Sequence, residues 1–247
     1  MLPEPPALAV TSLVLRRSRG FAVRIPSLQL PPGRTLCLTG MNGSGKTSLI
    51  EAVVGMAPPD RGAIEICGLA QDGRLPAPKR LLGFIPDDDA WIIPELSAGE
   101  YFALLASLAP KGERPELARE AERLASALSF ASGRQQMGSL SHGNRKKVQI
   151  IAALMHRPRL VVVDELRNGL DPLSIRAAEE LLKGAVREGA AVLAASHDLW
   201  WAERFADETL ILSKGEALMQ EKTSAIVEAW GSLENLFVEA CAQEAHA

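Results

Sequence analysis

The segment TGMNGSGKTSL, residues 39–49, places three glycines and one lysine between an apolar run and a stretch with helical spacing. Glycine lets the backbone turn several N–H groups toward one point, and a helix N-terminus adds partial positive charge. The order strand, G-x-x-x-x-G-K-[ST], helix is the context in which such a loop binds phosphate groups. The segment therefore predicts a phosphate-binding loop; the alternative is a flexible turn that contains a lysine.

Two side chains of this glycine loop have specific expected roles. Lys46 is expected to reach the β- and γ-phosphates of a nucleotide, and the Thr47 hydroxyl is expected to bind Mg²⁺. The other residues expected to contact the nucleotide are Gly40, Asn42, Gly43, Ser44, Gly45 and Ser48.

A pair of acids follows a second apolar run, LVVVD, whose last residue is Asp164. Such an unbroken run is typical of a strand buried on both faces of a parallel sheet. A carboxylate at the end of the strand can hold Mg²⁺ and its waters against phosphates. Glu165 follows directly and is placed to orient or deprotonate an attacking water. The alternative is an ordinary pair of acids before a helix.

Strands alternate with helices along most of the chain, which predicts an α/β fold with a largely parallel sheet. The predicted strands are RTLCLTG, GAIEICG, LLGFIP, RLVVVDE and AAVLAAS, followed by a hairpin-like pair, ETLILSKGEALMQ. The predicted helices include KTSLIEAVVG, PELAREAERLASAL and LSIRAAEELLKGAVRE, and one helix closes the chain. A helical block at about 90–156 interrupts the alternation and predicts an inserted subdomain.

Three positions carry helix-start signals. Ser97 and Glu100 have the spacing of a capping box, in which each side chain satisfies the other residue's free backbone amide. Ser141 is expected to open a new helix, and Asp171 before Pro172 is expected to cap and start another.

The composition excludes several classes of function. The 247-residue chain has 47% apolar and 23% charged residues, a net charge of −3 and a pI near 5.9. These values argue against a general nucleic-acid-binding surface, and the 4% of aromatics argues against binding single strands by base stacking. Cys37, Cys67 and Cys241 are too widely spaced for a metal cluster or disulfide framework, which favours a reducing compartment. The pattern predicts neither a signal peptide nor a membrane span.

Three further motifs resemble one family. LSHGNRKKV at 140–148 looks like the signature sequence of ATP-binding-cassette (ABC) ATPases, usually LSGGQ; NGLDP at 168–172 looks like the family's D-loop, and ASHD at 195–198 like its switch-histidine loop. The resemblance runs from about residue 7 to the C-terminal helix. It implies a P-loop NTPase of ABC type, with a mainly parallel core, an N-terminal antiparallel β part and an inserted α-helical subdomain. It also implies one domain over 1–247, with its core at 1–89 and 157–247 and the signature subdomain at about 90–156.

The resemblance further implies how ATP is hydrolysed. Two cassettes pack head to tail, and each ATP lies between the glycine loop of one and the signature of the other. Ser141 and the Gly143 amide are expected to contact the γ-phosphate across this interface, and Asp171 is expected to bridge the dimer. His197 is expected to bind the γ-phosphate and to hold Glu165 and the water in line. The implied catalytic residues are Lys46, Glu165 and His197, with ATP and Mg²⁺ as ligands.

Some positions depart from the family pattern. Asp87 stands where the family usually has a glutamine that contacts Mg²⁺, so it is predicted as a metal ligand beside Thr47 and Asp164; the alternative is an exposed acidic loop. His142 and Asn144 replace the usual Gly and Gln of the signature. A side chain at His142 costs energy if this position needs a positive φ.

The adenine site is also unusual, because the family's stacking aromatic is expected near Arg16 or Arg17. Arg17 can stack through its guanidinium plane, Phe21 can substitute, or Arg17 is simply solvated. Downstream, at least one residue of the pair Trp200 and Trp201 is expected to pack against the sheet.

The function that the resemblance implies is that of an ATP-hydrolysing subunit that powers a separate membrane-spanning transporter subunit. The chain is expected to form a homodimer, or a heterodimer with a paralogous ATPase subunit, on the cytoplasmic face of the membrane. A coupling helix of the membrane subunit is expected to dock near residues 87–91. The alternatives are a non-transport ATPase that acts on nucleic acid or the ribosome, and a nucleotide-gated regulatory module that barely hydrolyses ATP.

Overall fold

A ten-stranded mixed sheet runs through the molecule in the computed structural model, which describes residues 4–18 and 20–245. The strands are β1 Leu8–Ser18, β2 Phe21–Leu30, β3 Thr35–Thr39, β4 Arg61–Ile66, β5 Leu69–Ala70, β6 Leu82–Ile85, β7 Leu160–Asp164, β8 Ala191–Ala195, β9 Glu208–Ser213 and β10 Glu216–Lys222. Their order in the sheet is β5-β4-β1-β2-β10-β9-β3-β8-β7-β6.

Five of these strands, β9, β3, β8, β7 and β6, are mutually parallel. Their apolar runs are buried on both faces: in β7, Leu160 and Val162 belong to one core and Val161 and Val163 to the other. This two-sided burial explains why the strand has no polar alternation. Ala195 pairs with both Leu38 and Asp164, so β3, β8 and β7 end at the same level.

The other half of the sheet is antiparallel. β1 pairs with β2 and β4 in this way, β4 pairs with β5, and β10 pairs with β9. A parallel pairing of Glu216 with Arg24 joins β10 to β2 and makes the sheet continuous. The predicted antiparallel β part is therefore confirmed as an extension of the parallel core.

Helices cover both faces of the sheet. They are α1 Lys46–Val53, α2 Pro76–Arg80, α3 Ala98–Ser107, α4 Arg114–Ala127, α5 His142–Leu154, α6 Pro172–Arg187, α7 Leu199–Phe205, α8 Thr223–Trp230 and α9 Leu233–Ala245. Three of them, α3 to α5, lie with a short 3₁₀ turn, Met137–Ser139, between β6 and β7, and α5 packs on β6. The predicted fold class, including the inserted helical part, is confirmed, whereas the exact domain boundaries stay a prediction.

Local signals read from the sequence agree with most of these helix ends. The capping box of Ser97 and Glu100 is present, Ser141 caps α5, and Asp171 caps α6. The prediction of one C-terminal helix is wrong, because Gly231 at φ 80° separates α8 from α9. Strand β5 and helix α2 are too short to have been predicted. Within 4–18 and 20–245, no helix is long and apolar enough to span a membrane.

Candidate active site

Packing leaves no room for a side chain at two glycines of the loop between β3 and α1. A Cβ added to Gly40 would lie 2.2 Å from the Leu212 carbonyl oxygen. A Cβ on Gly45 would lie 2.4 Å from a Val23 methyl carbon, and Gly45 also has a positive φ of 109°. Gly43, at φ 80°, has open space beside it. The loop backbone is therefore held in place by packing at Gly40 and Gly45, whereas Gly43 borders open space that a ligand can occupy. A phosphate cradle needs both properties.

The start of α1 favours an anion. Gly45 caps the helix without any side-chain hydrogen bond, and the first turn contains no acid. The buried hydroxyls of Thr39 and Ser44 have no hydrogen-bond partner in the described part of the chain. Backbone N–H groups at a helix N-terminus, together with unpaired hydroxyls, suit a ligand with several acceptor oxygens.

Lys46 lies across this loop. Its Nζ donates to the carbonyl oxygens of Gly40 at 2.7 Å and Met41 at 3.2 Å. Burial lowers the pKa of the Lys46 ammonium, and the carboxylates of Glu165 and Asp164 act in the opposite direction. Lys46 and the acid pair after β7 are therefore close enough for their charges to interact.

Glu165 and His197 are in direct contact at the carboxyl ends of β7 and β8. Nδ1 of His197 lies 2.8 Å from Oε1 of Glu165, and the His197 backbone N–H donates to the same oxygen at 3.0 Å. The Ser196 hydroxyl lies 3.3 Å from the other carboxylate oxygen. Glu165 has a left-handed φ of 48°, which is strained for a residue with a Cβ. The contact orients the carboxylate as a general base requires.

Asp164 ends β7 in a crowded acidic environment. Burial raises its carboxyl pKa to about 6, and the carboxylates of Asp87 and Glu165 add to this rise, whereas Lys146 and Lys46 oppose it. Clustered carboxylates that disfavour their own ionisation favour the binding of a divalent cation.

The three predicted Mg²⁺ ligands are not equivalent. Asp87 is exposed, and its Oδ1 accepts a hydrogen bond of 2.6 Å from the Asn168 amide; Thr47 is also exposed. No group of three His, Cys, Asp or Glu side chains in 4–18 and 20–245 is arranged to hold a metal. One hydroxyl and two carboxylates fit the open kind of Mg²⁺ site, in which waters and phosphate oxygens supply the other ligands.

The signature residues form a second group. Ser141 caps α5 by accepting from the Asn144 N–H at 3.3 Å. A Cβ on Gly143 would lie 2.6 Å from the Gly169 carbonyl oxygen, so this position needs glycine for a close backbone approach. No hydrogen bond joins Ser141 or Gly143 to the glycine loop within the described residues.

His142, which departs from the family pattern, and Asp171, which matches it, both have defined local contacts. His142 is the first residue of α5 and does not have a positive φ, so the possible backbone strain is absent. Its Nδ1 instead lies 3.2 Å from Oδ2 of Asp89, which also accepts from Arg145 at 2.9 Å. Asp171 caps α6 by accepting from the N–H groups of Leu173 and Ser174, each at 3.0 Å.

The structure also positions the residues that were considered for the adenine site. The Arg17 guanidinium donates to the Ser48 carbonyl oxygen at 3.2 Å and lies 3.7 Å from the Glu51 carboxylate, so it is held against α1 rather than solvated. Phe21 is half-buried. Trp201 is buried and stacks on Phe205, which confirms that one tryptophan of the pair packs in the core.

One buried residue was missed by the sequence analysis. Lys146 of α5 is 0% exposed, and its Nζ donates to the carbonyl oxygens of Pro86, Glu165 and Asp164 at 2.6, 3.1 and 3.3 Å. Burial lowers its pKa to about 8, whereas nearby carboxylates act to raise it. The sequence signal for its burial is the helical spacing: Lys146 stands four residues before Ile150, so both side chains lie on the same, buried face of α5.

Comparison with known proteins shows which family the chain resembles. The family model described as "ABC transporter" matches residues 23–168. The ABC-type transporter ATP-binding protein EcsA of Bacillus subtilis (strain 168) is 30% identical over 96% of this chain and 98% of its own length. A solved ATP-binding subunit of an ABC transporter, 28% identical, has a TM-score of 0.88 over 94% of this chain and 98% of that chain.

A more distant structure shares the fold. It is the ATP-binding cassette MJ0796, solved as a dimer in a post-hydrolysis state with ADP and Pi, at 22% identity and a TM-score of 0.74 over 87% of this chain and 98% of that chain. The fold and the site define an ATP-binding cassette. The chain belongs to the ABC transporter family, and it is a nucleotide-binding ATPase of that family.

The raised pKa of Asp164 generates a stability prediction. The folded pKa of about 6 exceeds the ordinary value of 3.8, so folding favours the protonated carboxyl. The protein is therefore stabilised by this group at low pH, and this stabilisation is lost as the carboxyl ionises on raising the pH through about 6. Asp164→Asn should therefore raise the unfolding temperature of the nucleotide-free protein at pH 8 by about 3–6 °C. The gain at pH 5 should be roughly half as large. Thermal unfolding at both pH values measures this, and a loss of stability at pH 8 would contradict it.

Proposed function

We propose that the chain is the ATP-hydrolysing subunit that powers transport by a separate membrane-spanning partner. The observation that carries the hydrolytic part is the contact between Glu165 and His197 at the sheet edge where the glycine loop also begins. A base that is positioned by a histidine beside a phosphate cradle suits attack by water on a terminal phosphate.

Each residue of the site has a proposed role. Lys46 moves from the loop carbonyls to the β- and γ-phosphates, where the full charge of the phosphates replaces two neutral acceptors. Glu165 accepts a proton from the attacking water, and His197 holds Glu165 and binds the γ-phosphate. The other proposed nucleotide contacts of the loop are Gly40, Asn42, Gly43, Ser44, Gly45, Thr47 and Ser48.

Mg²⁺ is the proposed metal, held by Thr47, Asp164 and Asp87. When bound, it neutralises charge on the phosphate oxygens. Burial and, after it, the charges of Asp87 and Glu165 raise the Asp164 pKa, and this supports the assignment because a divalent cation relieves both the desolvation of the carboxylate and the repulsion from its neighbours.

A second cassette is proposed to complete the site. Ser141 is exposed and Gly143 is partly exposed at the start of α5, so both are available to a nucleotide bound by another copy or by a paralogue. The dimer of MJ0796 supports this arrangement. Asp171 would contact the partner chain while it keeps its cap on α6.

The membrane partner is proposed to dock in the groove between the sheet and the inserted helices. The groove contains a cavity of ≈ 260 Å³ beside one of ≈ 680 Å³. Trp91 packs edge-on against Phe84 with ring centroids 5.9 Å apart, yet it is 47% exposed, and Leu108 is 69% exposed. An exposed apolar groove of this kind suits an amphipathic helix of a partner. Docking there would hold the chain on the cytoplasmic face of the membrane.

The first prediction tests Glu165. Glu165→Gln keeps the shape of the side chain but cannot accept the proton, so kcat should fall at least a hundredfold while ATP still binds. Gel filtration should then show an ATP-dependent dimer for the variant and mostly monomer for the parent chain. Glu180→Gln, which changes an exposed acid on α6, is the matched control. Hydrolysis by Glu165→Gln at the parental rate would show that Glu165 is not the base.

The second prediction tests the groove. Trp91→Glu places a charge on the apolar surface, so co-sedimentation of the chain with membranes that contain its transporter subunit should fall at least tenfold. Leu218→Glu changes another exposed apolar residue, on β10, and should leave co-sedimentation intact. Equal membrane association of the two variants would exclude this groove as the docking site.

A further inference from the structure

Lys146 is a fully buried cation for which neither the family pattern nor the proposed mechanism has a role. Its ammonium donates to the carbonyl oxygen of Pro86, at the end of β6, and to those of Asp164 and Glu165, after β7. An ammonium has three N–H donors, and the three carbonyls match that number. Within the described residues Lys146 makes no ion pair shorter than 4.0 Å, so its direct partners are backbone groups.

The bond to Glu165 has a specific consequence for the backbone. Glu165 has a φ of 48°, a left-handed conformation that is strained for a residue with a Cβ. Its N–H donates to the Ala195 carbonyl oxygen at 3.1 Å, and its carbonyl oxygen accepts from Lys146 at 3.1 Å. The peptide groups on both sides of the strained residue are therefore fixed, and this directs the carboxylate toward His197.

The charge of Lys146 also matters. Burial lowers the pKa of the Lys146 ammonium, and the negative charges of Asp87, Asp164, Glu165 and Asp89 act in the opposite direction and favour its charged form. Asp87 contributes a negative charge that the glutamine expected from the family pattern would not. A buried positive charge at position 146 offsets this extra acid near the place where anionic phosphates must bind.

We propose that Lys146 is a positioning residue for ATP hydrolysis: from α5 it holds the backbone of Glu165 in the hydrolytic conformation and compensates the negative charge of Asp87. The inference rests on the proposed role of Glu165 as the base. Because Ser141 caps α5, the helix that presents the signature also holds the backbone of the base in the same chain. A displacement of this helix would be transmitted to Glu165 directly through the hydrogen bond from Lys146 to its carbonyl oxygen, and to the neighbouring Asp164 through a second one.

Lys146→Met tests the proposal, since methionine has a similar length but neither charge nor donors. We expect kcat to fall at least thirtyfold while the ATP dissociation constant, measured by calorimetry, changes less than threefold. Lys146→Gln keeps an amide donor and should lose less activity than Lys146→Met. Lys183→Met, at a half-exposed lysine paired with Glu180, is the control and should retain parental values.

A double variant separates positioning from a merely structural role. In the Lys146→Met background, Asp87→Asn removes the acid that the lysine compensates, so it should raise kcat at least fivefold; in the parent background it should not raise kcat. Thermal unfolding without nucleotide reports whether each variant is folded. Parental kcat in Lys146→Met would overturn the inference. So would parallel losses of kcat, ATP affinity and thermal stability in both Lys146 variants, with no rescue by Asp87→Asn. Parental hydrolysis by Glu165→Gln would instead overturn the proposed role of Glu165.

Discussion

The common level at which β3, β8 and β7 end is the constraint on which the site depends. Ala195 at the end of β8 is the register partner of Leu38 on one side and Asp164 on the other. The glycine loop, the acid pair and His197 all leave the sheet from these three strand ends. A shift of one residue in this register would reverse which side chains face each core and would separate Glu165 from His197.

Electrostatics accounts for the arrangement around this edge. Burial raises the pKa of the Asp164 carboxyl, and the negative charges of Asp87 and Glu165 raise it further. Lys46 and Lys146 offset this negative charge from the glycine loop and from α5 respectively. Lys46 is partly exposed at the start of α1, where a ligand can reach it, whereas Lys146 is completely buried. Only Lys46 is therefore placed to bind a phosphate directly.

The sequence predicts chemistry that is encoded locally. The glycine loop and the acids after β7 each depend on a few adjacent residues whose strand and helix context is visible as an apolar pattern. The sequence does not predict contacts between distant segments, such as those of Lys146 with Pro86 or His142 with Asp89, because no local periodicity specifies which loop meets α5. The division between α8 and α9 was missed for another reason: Gly231 ends α8, but apolar residues continue on both sides of it.

The most direct test of the central claim, that one nucleotide site is built from two chains, is complementation between inactive variants. Lys46→Ala disables the glycine loop, and Ser141→Arg disables the signature, so each variant alone should lack ATPase activity. In a mixture, mixed dimers contain one intact loop opposite one intact signature. We predict that mixing restores hydrolysis to a fraction of the parental rate set by the proportion of mixed dimers. A mixture that stays inactive, although both variants are folded and associate, would contradict the composite site.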